Sequence, residues 1–269
     1  MDKISDQQYL LAEQYRDASN LNARIRLHER FSTNTYNLQL WIFDHFDLPA
    51  QAHILELGCG PGQLWRNNLH RIPAGWEITL SDFSPGMLEK ARGNLDGSAH
   101  PFTFERIDAQ SIPFPPGSFD GVIANYMLYH VPDRPQALSE IQRVLRPGGR
   151  FYAATIGDGH MKELDELVST FDPAVSAPSD DLVGAFSLEN GREQLEAWFS
   201  DVTLHRFEDG LVVTEAEPLV EYVLSSTFRW ALASDRVDDF RSFLEGELRR
   251  HGVIHITKDT GLFSAARDI

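Results

Sequence analysis

The chain has 269 residues, 42% of them hydrophobic, enough to bury the core of one large α/β domain or two small ones. Its 24 basic against 40 acidic residues leave a net charge of −16, which opposes a nucleic-acid or other polyanionic partner. A single cysteine, Cys59, excludes a disulfide framework, a zinc–cysteine cluster and a three-cysteine iron–sulfur site, and no metal site is read elsewhere.

No apolar run approaches the roughly 18 residues of a membrane span, and Met1-Asp2-Lys3-Ile4 does not begin a signal peptide, so a cytoplasmic location is expected. Residues 1–47 read as helical, with Ser32 or Thr33 as the cap before the apolar face of Leu38, Trp41, Ile42 and Phe46. Pro49 then leads into the sheet. Ile54, Leu55 and Leu57 form the apolar run of a buried parallel strand, with Glu56 as its one charge. Gly58, Gly60 and Gly62 follow at alternate positions, before a helix from about Gln63 to Leu69. Glycine lets the turn tighten and a ligand lie against bare backbone, and the helix start adds unpaired N–H groups. Strand, glycine turn and helix make a nucleotide-type binding loop.

The second strand, Ile78–Ser81, ends at Asp82, and the third, Phe102–Ile107, ends at Asp108. Asp82 follows Glu56 by 26 residues and Asp108 follows Asp82 by 26, close to one βαβ unit. Three carboxylates thus fall at the carboxyl ends of adjacent strands, the edge where open α/β sheets bind ligands. The fourth strand buries Val122–Ala124 and releases the chain at Asn125, with Tyr126, Tyr129 and His130 in a short turn beyond it. A helix from Pro135 to Leu145 stops at Pro147-Gly148-Gly149, and Phe151–Thr155 is strand five. Such alternation argues for a parallel doubly wound sheet.

Beyond Gly157 the alternation breaks. Helices are expected at His160–Phe171, Glu193–Phe199, Pro218–Ser225 and Asp235–Arg250, with a Pro/Ser/Asp-rich loop at Asp172–Asp181. Val202–Phe207 reads as a strand, and Ile254–Ala266 as one or two strands around Lys258-Asp259-Thr260-Gly261.

The loop does not follow the dinucleotide spacing G-x-G-x-x-G, because Gln63 or Trp65 stands where the third glycine is required. It reads E-x-G-x-G-x-G, and here the chain resembles the class I S-adenosylmethionine-dependent methyltransferases of the small-molecule, UbiE-like (methyltransferase type 11) group. The resemblance carries over about residues 52–155. It implies a Rossmann-like, seven-stranded, mostly parallel sheet with an antiparallel last strand at Leu262–Ala266. It also implies an N-terminal helical cap over residues 1–47 and a cofactor domain over 48–269, with helical lid insertions near 158–190 and 216–252. S-adenosylmethionine would be held by Glu56, Gly58, Cys59, Gly60, Gly62, Asp82, Phe83, Met87, Asp108, Ala109, Asn125 and Tyr126, with Asp82 on the ribose hydroxyls and Asp108 on the adenine amino group. A carboxylate suits both, as an acceptor facing donors.

The acceptor side is less defined. Arg30, Phe31, Tyr129 and His130 are candidates for substrate contact, and Arg24 or Arg30 could hold a carboxylate. A sulfonium methyl is already activated, so a base is needed only for a nucleophile of high pKa. His130, Tyr129, Tyr15 and His160 are the candidates. The tetrapeptide N/D-P-P-Y of amino-methylating nucleic-acid enzymes is absent, with Asn125-Tyr126-Met127-Leu128 in its place. Expected partners are therefore a small-molecule methyl acceptor, no nucleic acid and no membrane, in a monomer or homodimer. An NAD-dependent oxidoreductase and a non-catalytic S-adenosylmethionine-binding protein stay open beside the methyltransferase.

Overall fold

Short apolar runs separated by helices collapse into one mixed sheet. The computed structural model describes residues 5–10, 19–173, 183–225 and 234–269, and among these seven strands lie in the order β3-β2-β1-β4-β5-β7-β6. They are β1 (Gln51–Leu57), β2 (Gly75–Asp82), β3 (Phe102–Arg106), β4 (Phe119–Ile123), β5 (Leu145–Ile156), β6 (Ser200–Val213) and β7 (Ile254–Ala266). The first five are parallel, and β7 runs antiparallel between β5 and β6. The chain winds outward from β1 to β3 and returns to set β4 on the other side of β1. The switch point, where such sheets take their ligands, is between β1 and β4.

Both faces of the sheet are covered, which is why neighbours such as Ile54 and Leu55 are both fully buried although they point to opposite sides. One face packs on α3 (Leu38–Asp44), α4 (Gln63–Asn68) and α5 (Pro85–Leu95) through Ile42, Trp65 and Ala91. The other packs on α6 (Arg134–Val144) and, numbering on in chain order, α8 (Gly191–Glu196) through Leu138, Ile141 and Leu195. A third apolar core joins α2 (Ser19–Phe31) to α7 (Lys162–Phe171), α9 (Glu217–Ser225) and α10 (Val237–His251). A short turn of helix, α1 (Gln7–Tyr9), precedes them.

This third core rests on a two-stranded ribbon. Pairing of β5 with β7 ends at Ile156 and Thr260, while β6 and β7 stay paired as far as Val213 and Ile254. The ribbon therefore projects past the carboxyl end of β5, and Leu211, Val213, Ile254 and Ile256 carry the helices above the sheet edge. The Thr33 N–H donates to the Gly210 carbonyl at 2.8 Å, fastening the end of α2 to it.

Several expected boundaries are corrected. Ser32 and Thr33 do not cap a helix; they bond to Asp209, and Asn37 caps α3 by accepting from the Gln39 N–H at 2.8 Å. Of the one or two strands expected over Ile254–Ala266 there is one, because the turn-like Lys258 lies directly opposite Asp209 in the ladder and binds it. The same pairing extends β6 well beyond Phe207. Pro147-Gly148-Gly149 ends the helix as expected but lies inside β5, in a register shift opposite Phe119–Gly121. Tyr15 and residues 174–181 of the Pro/Ser/Asp-rich loop lie outside the described residues.

Candidate active site

The carboxyl ends of β1, β2, β3 and β4 and the residues that follow them open into a cavity of about 690 Å³, within the roughly 300–1,000 Å³ of small-molecule sites. Its floor is the glycine loop, which is tied to β2 by the Cys59 N–H on the Ser81 carbonyl at 2.8 Å and the Ser81 hydroxyl on the Glu56 carbonyl at 2.7 Å. Gly58 (φ +69°) admits no side chain, since a Cβ there would lie 2.9 Å from Cβ of Met127. Gly60 (φ +52°) faces open space bounded by Leu21 of α2, 3.6 Å from where its Cβ would stand.

Glu56 is 3% exposed, and its Oε2 accepts from the Trp65 indole N–H at 2.7 Å. Burial, helped by the nearby Asp82 and opposed by Trp65, pushes its pKa up to about 8. Asp82 accepts the Gly60 N–H at 2.9 Å on one oxygen and the Ser84 N–H at 2.8 Å on the other. Burial raises its pKa to about 6 against those bonds. Ser84, not Asp82, caps α5 by accepting from the Met87 N–H at 3.3 Å. The Phe83 N–H also favours the ionised form, and a carboxylate has four lone pairs, so Asp82 keeps room for a ligand donor.

Asp108 accepts from the Gln110 amide and backbone N–H groups and from Gln7 of α1 at 3.3 Å. Phe83, Met87 and Ala109 complete this wall with apolar surface, and Arg106 lies over the Phe83 ring. Asn125 is held by the Ala154 N–H on its Oδ1 at 3.1 Å, while its Nδ2 is buried without a partner. Tyr126 takes positive φ (55°), a costly state for a non-glycine residue. Its hydroxyl donates at 2.7 Å to Thr260, which in turn donates to the Thr155 carbonyl. Burial raises the Tyr126 pKa to about 12.

Tyr129 and His130 also line the cavity, ring to ring at 4.6 Å. Arg30 and Phe31 do not. The helical rotation turns Arg30 outward onto Glu215 at the surface, and Phe31 into the third core.

The wall opposite the glycine loop joins Arg24 and His160 to residues that local sequence does not mark. α2 presents Leu21, Arg24, Ile25 and His28 to the cavity at helical spacing, followed by Ser32. His160, in the turn after β5, Tyr222 of α9 and Lys258 of β7 complete it. Lys258 pairs with Asp209, their side chains 7% and 0% exposed, and Ser32 also donates to Asp209. Burial alone would raise the Asp209 pKa, but bonds from Lys258, Ser32 and the Asn34 N–H hold it below the ordinary carboxylate range. Burial drives the His160 pKa down to about 4, with Lys258 adding to the effect. His28 is likewise driven well below its ordinary value by burial, then by His160 and Lys258. The polar stripe on α2 was the available signal: Arg24 and His28 are one helical turn apart.

The cavity therefore has two halves, an acidic floor of strand ends and a roof where Arg24 and Lys258 stand among Glu29, Asp209 and neutral groups. The floor offers carboxyl groups at Glu56, Asp82 and Asp108, bare backbone at Gly60 and an orphaned amide at Asn125. This donor set fits an adenosyl cofactor with hydroxyl, amino and cationic groups. No described group of histidine, cysteine and acidic side chains could hold a metal ion.

A family model described as a methyltransferase domain matches residues 55–153. The chain is 38% identical over 119 residues to a demethylmenaquinone methyltransferase of Symbiobacterium thermophilum, covering 41% of this chain and 47% of that one. It is 35% identical over 117 residues to a ubiquinone/menaquinone biosynthesis C-methyltransferase UbiE of Hahella chejuensis, covering 42% and 47%. It thus spans about half the length of these curated relatives. Phosphoethanolamine N-methyltransferase 2 of Haemonchus contortus, solved with S-adenosyl-L-methionine, shares the fold over 98% of this chain and 60% of its own, at a TM-score of 0.61 and 21% identity. Residues 55–153 thus match the methyltransferase-domain family, and the fold of the chain is shared with a solved methyltransferase.

Proposed function

We propose that the protein is a methyltransferase that transfers the methyl group of S-adenosylmethionine to a small-molecule acceptor. The observation that carries the reading is the convergence of Glu56, Asp82 and Asp108 with the side-chain-free Gly60 at the switch point of the sheet. In this reading Asp82 takes the ribose hydroxyls and Asp108 the adenine amino group, between Phe83, Met87 and Ala109. Gly58, Gly60, Cys59 and Asn125 flank the methionine half, and Tyr126 closes the space beneath the acceptor.

The bound cofactor supplies an activated methyl group on a sulfonium. The chain's own residues align the acceptor and exclude water, which is most of what this chemistry needs. Residues 1–47 and the insertions near 158–190 and 216–252 form the cap and lid in this reading. The reading includes a monomer or homodimer in the cytoplasm, and the absence of a nucleic-acid partner accords with the charge of −16. No described helix is long and apolar enough to cross a membrane.

Calorimetric titration with S-adenosylmethionine, S-adenosylhomocysteine and NADH tests the proposal. Binding of both sulfur compounds and not of NADH is expected; binding of NADH alone would overturn it in favour of an oxidoreductase.

A further inference from the structure

The roof of the cavity is built of groups that the cofactor reading does not use. His28 comes from α2, His160 from the turn after β5 and Lys258 from β7, and all three line the cavity. The two imidazole rings are 6.0 Å apart, and Tyr222 meets His28 edge-on at 5.9 Å. The Nδ1 atoms of both histidines are closed off from solvent and meet no hydrogen-bond partner. A buried polar atom left unpaired is a standing cost, which a ligand that reaches it recovers after a small ring movement.

The charges on the roof narrow the ligand. The Lys258 ammonium is held from one side by Asp209 and Ser32, and it has three N–H donors. Lys258 and Arg24 bear on His28 as positive charges, and Asp209, whose charge opposes them, is already committed to Lys258. Both histidines are neutral here, so each carries one ring nitrogen able to accept a hydrogen bond. At His160 the nearby Asp259 backbone carbonyl favours the protonated ring, while Nδ1 meets no hydrogen-bond partner. An ammonium group would meet like charge at this wall and an aprotic carbon acceptor would leave it unpaired. A hydroxyl can both donate to an imidazole and accept from Lys258.

Building on the methyltransferase reading, we propose that His28, His160 and Lys258 bind the methyl acceptor through a hydroxyl group, so that the reaction is an O-methylation. An oxygen lone pair forms the bond to the methyl carbon, the carbon–sulfur bond breaks, and its electron pair returns to sulfur as the thioether. The hydroxyl proton passes to an imidazole Nδ1, and the ring returns to neutral by giving a proton to water that refills the cavity. A weak base suffices, because the oxygen becomes strongly acidic as the new bond forms. Lys258 donates a hydrogen bond to the hydroxyl oxygen and so fixes its orientation.

The test uses the full chain loaded with S-adenosylhomocysteine and three probes of similar size: phenol, anisole and benzylamine. Binding of S-adenosylhomocysteine is measured first, and its failure counts against the methyltransferase reading rather than this one. In the loaded protein phenol should bind about tenfold more tightly than anisole or benzylamine, the scale of one good hydrogen bond. Phenol should also move the imidazole nitrogen resonances of His28 and His160 in the unmutated protein, while anisole leaves them in place. In H28F and H160F the preference for phenol over anisole should vanish with S-adenosylhomocysteine binding unchanged. Benzylamine binding as tightly as phenol, no preference for phenol over anisole, no phenol binding, or a preference that survives in both variants would overturn the proposal.

Discussion

Replacing Glu56 by glutamine tests the electrostatics of the glycine loop. The two side chains have the same shape, and the amide keeps an oxygen for the Trp65 indole N–H, so packing against the fully buried Trp65 is preserved. Only the ability to ionise is lost. In the unfolded chain Glu56 titrates near its ordinary 4.5, but in the folded protein it holds its proton up to about 8. Between those values the folded state carries a proton that the unfolded state has lost, so stability falls as pH rises and levels off above about 8. At about 1.4 kcal/mol per pH unit, this interval makes the wild type about 3–5 kcal/mol less stable than E56Q at pH 8.5, with little difference near pH 4.5.

Urea unfolding of both proteins across pH 4.5–8.5 measures the difference directly. The Asp82 carboxyl, whose pKa is raised to about 6, adds a slope below that value in both proteins and largely cancels in the comparison. A cationic ligand beside Glu56 should draw off its proton. S-adenosylmethionine should therefore gain affinity over S-adenosylhomocysteine from pH 6 to 8 in the wild type and not in E56Q. Parallel stability curves for the two proteins would refute the reasoning, because Glu56 would then ionise as freely in the fold as outside it.

Asp82→Ala removes an acceptor of two backbone N–H groups and of the proposed ribose contact, so calorimetry should find S-adenosylhomocysteine binding weakened by about 1.5–3 kcal/mol. Unchanged affinity with a lowered melting temperature would make Asp82 a brace alone. Gly60→Val puts a β-branched side chain at φ +52° and into the space below Leu21; it should abolish binding, and a variant that binds normally would refute the placement of the methionine half. Asn37→Ala should cost about 0.5–2 kcal/mol in urea unfolding through loss of the α3 cap, whereas Thr33→Ala should not destabilise α3.

What the sequence disclosed follows from range. Glu56, Asp82 and Asp108 are legible because each ends a strand at the same phase of a repeating unit, and the alternate glycines mark a turn that local sterics demand. Lys258 is illegible for the opposite reason. It stands in Lys-Asp-Thr-Gly and its partner in Glu-Asp-Gly, both of which read as turns, and only the antiparallel register brings them face to face. Arg30 and Phe31 failed on rotation, since each residue turns about 100° round a helix: the stripe through Arg24 and His28 faces the cavity, while Leu27 and Phe31 face the core. Ser32 and Thr33 have the right chemistry for a cap, but the chain is still extended there, and the β6 edge claims them.

The boundary between the two halves of the cavity coincides with the boundary of the family match. Glu56, Asp82, Asp108 and Asn125 fall inside residues 55–153, whereas Arg24, His28, His160, Tyr222 and Lys258 fall outside. The matched segment therefore supplies the floor, and the roof comes from segments outside it. Those segments hold together through their own core, in which Leu27 of α2 packs with Leu164, Leu219 and Phe240 on the β6–β7 ribbon. Such an arrangement lets the roof change without disturbing the strand ends beneath. In the methyltransferase reading proposed above, acceptor choice resides in α2, the turn after β5, α9 and β7, outside the segment that the family model matches.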